Sequence, residues 1–293
     1  MRIVIIGADG QLGSDLLKVL THESVLPLYY PEFDVTRTAE MRAVLRQAAA
    51  DVVINTAAFH RVDECEDNPR LAFEVNGLAV RELAIVCRET GSILAHFSTD
   101  YVFDGRKNAP YTEEDCPRPL NVYAVSKLAG EIFIRNICER HFLIRTCGLY
   151  GEAGSRVKGT NFVESVIALE RQGRPLRIVN DQRVTPTSTA ELARKIKELL
   201  GTSHYGLYHM TSEGDCSWFE FAQEIFALLG REPRLESVDS QTYGSRALRP
   251  LYSVLENRRA KDIGISEFLP WRSALKEYLI KKGYLRGGGG ASP

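Results

Sequence analysis

The first 150 residues alternate between short apolar runs and longer segments whose apolar positions recur every three or four residues. The short runs are rich in β-branched residues, as is typical of strands buried on both faces of a parallel sheet. The longer segments have the periodicity of amphipathic helices. The pattern predicts strands at Arg2–Gly7, Ser24–Leu28, Asp51–Asn55, Ser92–Phe97 and His141–Arg145, and helices at Gln11–Leu20, Ala39–Ala50, Asn68–Glu89 and Tyr123–Cys138. This alternation predicts an α/β fold built on a doubly wound parallel sheet.

The pattern changes after Tyr150. A polar, glycine-bearing segment at 151–159 predicts a loop, and mixed short elements follow it. We expect a mixture of short strands and helices at Phe162–Arg171, Leu176–Val179, Ala190–Leu200 and Phe219–Leu229. A strand-like piece and a final helix are expected between Tyr252 and Leu285, followed by a frayed tail from Gly287. The chain is thus expected to divide into a sheet domain at 1–150 and a smaller lobe at 151–293 that is interleaved with it.

Composition narrows the function. The chain has 293 residues, of which 44% are hydrophobic and 26% charged, which is ordinary for a folded globular protein. Lys and Arg total 37 against 38 for Asp and Glu, so the net charge of −1 offers no footprint for nucleic acid or an acidic membrane. No apolar run approaches the roughly 20 residues of a membrane span. We expect neither a nucleic acid nor a membrane as a partner.

The cysteines and the N-terminus indicate the setting. The six cysteines are scattered, with no C-x-x-C pair and no zinc-like spacing, so no metal site is predicted from them. The chain begins with a strand rather than a signal peptide. We therefore expect a reducing, cytoplasmic environment. A homodimer is compatible with this sequence, which does not determine the oligomeric state.

Glycines recur at the junction of the first strand and the first helix. Gly7, Gly10 and Gly13 have the spacing G-x-x-G-x-x-G rather than the commoner G-x-G-x-x-G. A tight turn, a close approach of the backbone to a pyrophosphate and close packing of the helix all require residues without a Cβ. The helix N-terminus supplies free N–H groups for the phosphates. This turn predicts a nucleotide-binding site.

The cofactor preference cannot be read from the second strand. An acidic residue at its end favours NAD and a basic one NADP, but the stretch Leu28–Pro31 carries neither charge. Asp34 follows, and two interpretations stay open for it: a position beside the adenine, or a residue of the turn that starts the next helix.

A tyrosine and a lysine four residues apart, Tyr123 and Lys127, lie near the start of a predicted helix. Both side chains project from one helical face, and a nearby ammonium is expected to lower the pKa of the phenol so that it can exchange a proton with a carbonyl or alcohol. The fourth strand ends at Ser98 and Thr99, of which one hydroxyl can reach the same crevice and bind a carbonyl oxygen. A second Tyr-x-x-x-Lys, Tyr278 to Lys282, is expected to lie on an exposed helix face.

Together these motifs resemble the dTDP-4-dehydrorhamnose reductase family of extended short-chain dehydrogenases/reductases. The resemblance covers nearly the whole chain, and its most specific segment is Ser98-Thr-Asp-Tyr-Val-Phe-Asp-Gly105. It also includes the glycine turn, Asn55-Thr-Ala-Ala58, Val62-Asp-Glu-Cys-Glu66, Pro110-Tyr-Thr-Glu-Glu114, Asn121–Lys127, Asn161-Phe162, Asn180-Asp-Gln182, Arg249-Pro250 and Pro270–Leu275.

The resemblance implies hydride transfer from NADPH or NADH to C4 of a nucleotide-linked 4-keto-6-deoxy sugar. It implies that Tyr123 protonates the alkoxide, that Lys127 holds the nicotinamide ribose, and that Thr99 orients the keto oxygen. The residues implied to bind the cofactor are Gly7, Gly10, Gln11, Leu12, Gly13, Asp34, Val35, Ala57, Ala58, Phe59, Tyr123 and Lys127. Thr99, Asp100 and Asn161 are implied to bind the substrate, and residues 1–150 and 151–293 become an NAD(P)-binding Rossmann domain and a substrate lobe. Magnesium glutamates known in some members cannot be placed here.

The chain departs from the family after the fifth strand. Many members read R-T-S-W-x-Y-G, with the tryptophan against the substrate, whereas this chain reads Arg145-Thr-Cys-Gly-Leu-Tyr-Gly151. Gly148 thus replaces the tryptophan, and the loop at 152–159 is this chain's own. Both changes concern the identity of the sugar rather than the hydride chemistry.

Other polar residues have structural interpretations that we prefer. We expect Asp63, Glu64 and Glu66 to be solvated charges at the start of a helix, and His60, His96 and His141 to be ordinary structural histidines. Two assignments stay open: Asn161 serves the nucleotide or caps a helix, and Asn76 supports Tyr123 through water or packs within its helix.

Three functions compete. The first is a sugar-nucleotide 4-ketoreductase, which the intact Thr99, Tyr123 and Lys127 favour. The second is an epimerase or dehydratase of the same superfamily, and the chain length and the Ser98–Gly105 segment argue against it. The third is a non-catalytic, NADP-binding regulatory subunit like that of methionine adenosyltransferase.

Overall fold

The structure, a computed structural model, describes residues 1–153 and 159–286. In the first half, five strands alternate with helices: β1 (Arg2–Ile6), β2 (Ser24–Leu28), β3 (Val52–Asn55), β4 (Ile93–Thr99) and β5 (His141–Thr146). The helices are α1 (Gln11–Val19), α2 (Thr38–Ala48), α3 (Val62–Asp67), α4 (Pro69–Phe73), α5 (Ala79–Thr90) and α6 (Val122–Ile137). A π-helical turn (Glu74–Leu78) joins α4 to α5, and a 3-10 turn (Asp100–Val102) follows β4.

The second half contains shorter elements. Its strands are β6 (Leu149–Tyr150), β7 (Leu176–Val179), β8 (Arg183–Val184), β9 (Thr187–Ser188), β10 (Gly206–His209), β11 (Cys216–Ser217) and β12 (Leu235–Val238). Its helices are α7 (Phe162–Glu170), α8 (Thr189–Leu200), α9 (Trp218–Leu229), α10 (Ser240–Tyr243), α11 (Arg258–Asp262) and α12 (Trp271–Lys281). No helix among the described residues is long and apolar enough to cross a membrane.

Six parallel strands form the central sheet in the order β2-β1-β3-β4-β5-β10. The order reverses between β1 and β3, because β2 lies on one side of β1 and all later strands lie on the other. In such a sheet the ligand crevice opens at the carboxyl ends of the two strands that flank the reversal. The glycine turn follows β1 and the segment Thr56–Phe59 follows β3, so both lie at this crevice.

Helices cover both faces of the sheet. On one face α1 and α8 pack against the strands, with Leu16 and Ile196 fully buried. On the other face α2, α5 and α6 do so, with Met41, Leu83 and Ile134 fully buried. The predicted doubly wound α/β fold is therefore confirmed, and the inner strands β1, β3, β4 and β5 are mainly apolar because they are buried on both faces.

The second half contributes to the sheet domain as well as to a separate core. Strand β10 extends the sheet beside β5, and α8 packs on α1. Helices α7, α9 and α12 form their own apolar cluster with Tyr150, Phe221 and Trp271. Strand β10 was not predicted, because its four residues, Gly206–His209, are too short a run for a periodicity argument.

Most predicted elements differ from the structure by a few residues at their ends, as expected for a pattern-based prediction. The predicted helix at Asn68–Glu89 is helical through Thr90 but contains the π-helical turn, and the helix predicted at Tyr123–Cys138 is α6. The predicted tail from Gly287 and part of the 151–159 loop lie outside the described residues. The division at residue 150 stays a prediction.

Helix α6 crosses the π-helical turn closely. Gly130 faces this turn, and a Cβ on Gly130 would lie 2.4 Å from the backbone oxygen of Asn76. Gly77, on the opposite helix, is less constrained, since its nearest neighbour would be the Cβ of Ala129 at 3.7 Å.

We predict that Gly130→Ala lowers the free energy of unfolding by about 1–3 kcal/mol, because the two helices must separate to admit the methyl group. Gly77→Ala is the matched control and should stay within about 1 kcal/mol of the original protein, because the methyl group has room and alanine favours a helix. Urea unfolding monitored by circular dichroism measures both. Equal losses in the two variants would contradict the close contact at Gly130.

Candidate active site

The glycine turn is a tight cradle at the end of β1. Gly7 has a φ of +76°, in the left-handed region that favours glycine. A Cβ on Gly13 would lie 2.3 Å from the carbonyl oxygen of Gly7, so α1 packs directly on the turn. Gly10 is the N-cap of α1, and no side chain caps the first N–H groups of this helix. The turn therefore has the backbone shape and the free donors that a pyrophosphate requires.

Gln11 and Leu12 present their backbone to this cradle. The side-chain oxygen of Gln11 accepts a hydrogen bond of 2.9 Å from the backbone N–H of Gly151, and Leu12 is buried in the core between α1 and the sheet. Gln11 thereby ties the cradle to the start of the second half of the chain.

Asp34 and Val35 lie before α2. One carboxylate oxygen of Asp34 accepts hydrogen bonds from the backbone N–H and the hydroxyl of Thr36, at 2.9 and 2.8 Å. Val35 is buried against the core on the α2 side. The local turn thus accounts for Asp34 in the structure, and a role beside adenine stays a prediction.

Asn76 holds the segment that follows β3. Its side-chain oxygen accepts from the N–H of Phe59 and its amide nitrogen donates to the carbonyl of Phe59, both at 2.9 Å. The same nitrogen donates to the Ser126 hydroxyl at 3.0 Å, and that hydroxyl donates to the carbonyl oxygen of Tyr123 at 2.7 Å. Asn76 therefore links the predicted cofactor residues Ala57, Ala58 and Phe59 to the helix that carries the tyrosine.

The structure brings Thr99, Tyr123 and Lys127 together at the carboxyl edge of the sheet. Thr99 ends β4, and the N-cap Asn121 starts α6 by accepting a hydrogen bond of 2.8 Å from the N–H of Ala124. The hydroxyl of Thr99 lies close enough to that of Tyr123 to influence its pKa. Lys127 is one helical turn further on and is buried, with its nitrogen 3.2 Å from Nε2 of His96.

The pKa of Tyr123 differs from the expectation. Desolvation of the hydroxyl raises the pKa of Tyr123, and the neighbouring Thr99 hydroxyl lowers it by a smaller amount. The expected lowering by Lys127 is wrong for this structure, because the lysine nitrogen lies against His96. Burial lowers the pKa of Lys127 from 10.5 to about 8, against the opposing effect of Glu131.

A buried ion pair fixes α6 one turn beyond Lys127. Glu131 receives two hydrogen bonds from Arg145 of β5, at 2.9 and 2.6 Å, and both side chains are 1% exposed. Such a bidentate pair restrains distance and orientation together. It holds the helix of the tyrosine and lysine against the sheet.

Asp100 lies beneath Thr99 rather than on an open surface. It is 3% exposed, its carboxylate accepts from the Thr99 hydroxyl and from Sγ of Cys147, both at 3.0 Å, and desolvation raises its pKa. The predicted contact of Asp100 with the sugar stays a prediction. In the structure Asp100 contacts the hydroxyl that is predicted to bind the keto oxygen.

The surroundings of Gly148 show what stands near the missing tryptophan. Gly148 has a φ of +56°, and a Cβ there would lie 3.2 Å from Cα of Pro186 and 3.4 Å from Cη2 of Trp218. Trp218 starts α9, and its ring lies 4.8 Å from that of Phe162 with an interplanar angle of 42°. An indole from another element therefore borders this position. Sequence reasoning missed it, because 70 residues separate the two positions in the chain.

Asn161 is engaged within the protein. It is the N-cap of α7, accepting from the N–H of Glu164 at 3.0 Å, and it donates to Tyr278 Oη at 3.1 Å and to the carbonyl of Gly151. The expectation of an exposed Tyr278 is wrong, since this side chain is 3% exposed and packs in the core of the second half. The capping role of Asn161 is thus observed, and its role toward a nucleotide stays a prediction.

The carboxylates of α3 form tertiary contacts. Asp63 pairs with Arg249 at 2.7 Å, which lowers the pKa of Asp63, and Glu66 accepts a hydrogen bond of 2.8 Å from the N–H of Val122. Glu64 pairs at the surface with Arg61. Asp63 and Glu64 lie in the first turn of α3 as expected, and Asp63 remains 47% exposed, but Asp63 and Glu66 also bond to distant segments of the chain. Across the described residues, no three His, Cys, Asp or Glu side chains are gathered as a metal would require.

His96 is the residue that sequence reasoning undervalued. It is fully buried in β4 and contacts both Lys127 and Asn55. A signal was present in the sequence, because a histidine inside a strand as apolar as Ile93–Phe97 must find hydrogen-bond partners in the core.

Comparisons with known proteins agree with this geometry. Residues 1–283 match the family model described as the RmlD substrate binding domain. The spore coat polysaccharide biosynthesis protein SpsK of Bacillus subtilis is 37% identical over 96% of this chain and 98% of its own. The dTDP-4-dehydrorhamnose reductase of Streptomyces griseus is 38% identical over 94% of this chain and 92% of its own.

A solved structure gives the same result. The crystal structure of dTDP-4-dehydrorhamnose reductase from Bacillus anthracis in complex with NADP has a TM-score of 0.92 at 33% identity, covering 96% of this chain and 99% of its own. The resemblance predicted from the motifs is thus confirmed, and the chain belongs to the dTDP-4-dehydrorhamnose reductase family.

Proposed function

We propose that this protein is an NADPH-dependent reductase that converts the C4 keto group of dTDP-4-dehydrorhamnose to the hydroxyl of dTDP-rhamnose. The observation that carries the proposal is the meeting of Thr99, Tyr123 and Lys127 at the carboxyl edge of the sheet, beside the glycine cradle. Similarity to reductases of this name, one of them in complex with NADP, supports the substrate and the cofactor.

The crevice fits the cofactor. Gly7, Gly10 and Gly13 give a backbone that a pyrophosphate can approach, and the uncapped N-terminus of α1 supplies donors to it. Ala57, Ala58 and Phe59 border the same crevice after β3. NADPH supplies the hydride that reduces C4.

Three side chains transfer the proton, orient the keto oxygen and bind the cofactor. Tyr123 donates its proton to the oxygen on C4, which its raised pKa permits because the phenol keeps its proton at neutral pH. The hydroxyl of Thr99 hydrogen-bonds the same oxygen and orients it. Lys127 binds the nicotinamide ribose, and in its charged form its ammonium group donates hydrogen bonds to the ribose hydroxyls.

The remaining assignments complete the proposal. Residues 1–150 bind the cofactor and 151–293 mainly the sugar nucleotide, with Asp100 and Asn161 on the substrate side. The reaction takes place in the cytoplasm, which suits cysteines that form no disulfide among the described residues. A homodimer stays a prediction of the sequence.

The proposal is tested by measuring the oxidation of NADPH from its absorbance, with dTDP-4-dehydrorhamnose as the substrate. One NADPH consumed for each sugar reduced supports the reductase. An epimerase or a dehydratase would consume none, and a regulatory subunit would bind NADP without turnover.

We predict that Tyr123→Phe lowers kcat by about 100- to 10,000-fold, because the general acid is lost. The Kd for NADPH, measured by fluorescence titration, should change by less than about threefold, because the ring is retained. Tyr243→Phe, at a side chain that is 52% exposed, is the matched control and should retain the original kcat. A Tyr123→Phe enzyme of normal kcat would end the assignment.

We also predict an alkaline limb in kcat/KM. Because the charged form of Lys127 is required and its pKa is lowered to about 8, kcat/KM should fall as the pH rises through about 8. Lys127→Arg should move this limb to higher pH, since a guanidinium stays charged. If the pH at which kcat/KM falls were unchanged in Lys127→Arg, the titrating group would be one other than Lys127.

A further inference from the structure

Three buried polar side chains, Asn55, His96 and Lys127, form a line from β3 through β4 to α6. Each is at most 2% exposed. The amide nitrogen of Asn55 lies 3.1 Å from Nδ1 of His96, and Nε2 of His96 lies 3.2 Å from the nitrogen of Lys127. The direction of each hydrogen bond in this line can be worked out from its fixed end.

The fixed end is the backbone of Ala57. Its N–H donates to the side-chain oxygen of Asn55 at 3.1 Å, which assigns the oxygen and the nitrogen of that amide. The Asn55 nitrogen therefore faces His96 and donates to Nδ1. Turning the amide over would set its NH₂ group against the N–H of Ala57, donor against donor.

The next link follows from the charge of His96. Burial, and to a lesser extent Lys127, holds the pKa of His96 well below its usual 6.5, so the imidazole is neutral and carries one proton. Because Nδ1 accepts from Asn55, that proton is on Nε2 and points at Lys127. Only an uncharged amine can accept it, since an ammonium group has donors alone.

The other charged groups on α6 and on the elements packed against it do not remove this constraint. Glu131, one turn along α6, favours the ammonium, but both its oxygens are bonded to Arg145. Glu66 of α3 is bonded to the N–H of Val122, and Asp100 to Thr99 and Cys147. Among the described residues, His96 is the hydrogen-bond partner of the Lys127 nitrogen.

We propose that His96 is a positioning residue that favours the uncharged amine of Lys127, through hydrogen bonds directed from Ala57 to Asn55, from Asn55 to His96 and from His96 to Lys127. The inference rests on the proposed function only in taking Lys127 as the lysine of the reductase. It also connects the segment beside the cofactor crevice to the charge of the lysine, because the line begins at the N–H of Ala57.

When Lys127 takes up a proton, the direction of the hydrogen bond between His96 and Lys127 must reverse. The imidazole proton then moves from Nε2 to Nδ1, so that Nε2 can accept from the ammonium. The tautomer of His96 therefore reports the charge of Lys127 and does so without any substrate or cofactor.

The first experiment measures this tautomer by NMR. In protein labelled with ¹⁵N-histidine, long-range ¹H–¹⁵N correlations distinguish the two neutral tautomers, and His96→Gln identifies the signals of His96. We expect the Nε2–H tautomer at about pH 9.5, above the pKa of Lys127. The Nδ1–H tautomer at that pH would overturn the proposal, whether or not the protein reduces a keto sugar.

The second experiment uses a substitution to reverse the direction of the hydrogen bonds that pass through His96. In Asn55→Asp, the carboxylate can accept from both the Ala57 N–H and an Nδ1–H, so Nε2 becomes an acceptor and the ammonium is favoured. We expect the alkaline limb of kcat/KM to move up by about one pH unit or more.

The matched control separates this relay from the added charge. Asn55→Asp in the His96→Gln background brings the same carboxylate without an imidazole to relay its effect, so the shift should be smaller there by at least half a pH unit. An equal shift in both backgrounds would assign the effect to charge and overturn the role of His96. A protein that shows the Nε2–H tautomer but no turnover would instead refute only the proposed reductase.

Discussion

The close contact between α6 and the π-helical turn is the constraint on which the site depends. Gly130 allows the two backbones to approach, and Asn76 in the turn then reaches both the Phe59 backbone and the Ser126 hydroxyl. The helix that carries Tyr123 and Lys127 is thereby set against the segment that follows β3. A wider spacing would separate the proton donor from the cofactor crevice, so packing decides the chemistry here.

Polar groups buried in the sheet have a second structural role. Arg145 and Glu131 fix α6 to β5, and Asn55 and His96 connect β3 and β4 to Lys127. A buried polar group that lacks a partner is costly, so each of these contacts restrains the backbone around it. The site is precise because its supporting side chains bond to one another across four secondary-structure elements.

Several residues acquire their roles from contacts that are distant in sequence. Asp63 and Arg249 are far apart in the chain, and their ion pair brings the segment before Pro250 onto α3. Tyr278 is buried because α12 packs against Tyr150 and α7, although its tyrosine–lysine spacing equals that of Tyr123 and Lys127. The same local pattern thus gives a site residue in one helix and a core residue in another, and only the packing partner distinguishes them.

The sequence by itself determined the α/β fold, the glycine turn and the grouping of one hydroxyl, of Ser98 or Thr99, with Tyr123 and Lys127, because these follow from periodicity, from backbone sterics and from the rule that parallel strands end at one edge. The choice of Thr99 came from the family resemblance. It did not determine the strand at Gly206–His209, the indole of Trp218 beside Gly148, or the place of His96 between Asn55 and Lys127. Those depend on which segments meet across the core. The local pattern of apolar and polar residues does not encode such tertiary contacts, since the partners of a buried group lie tens of residues away in the chain.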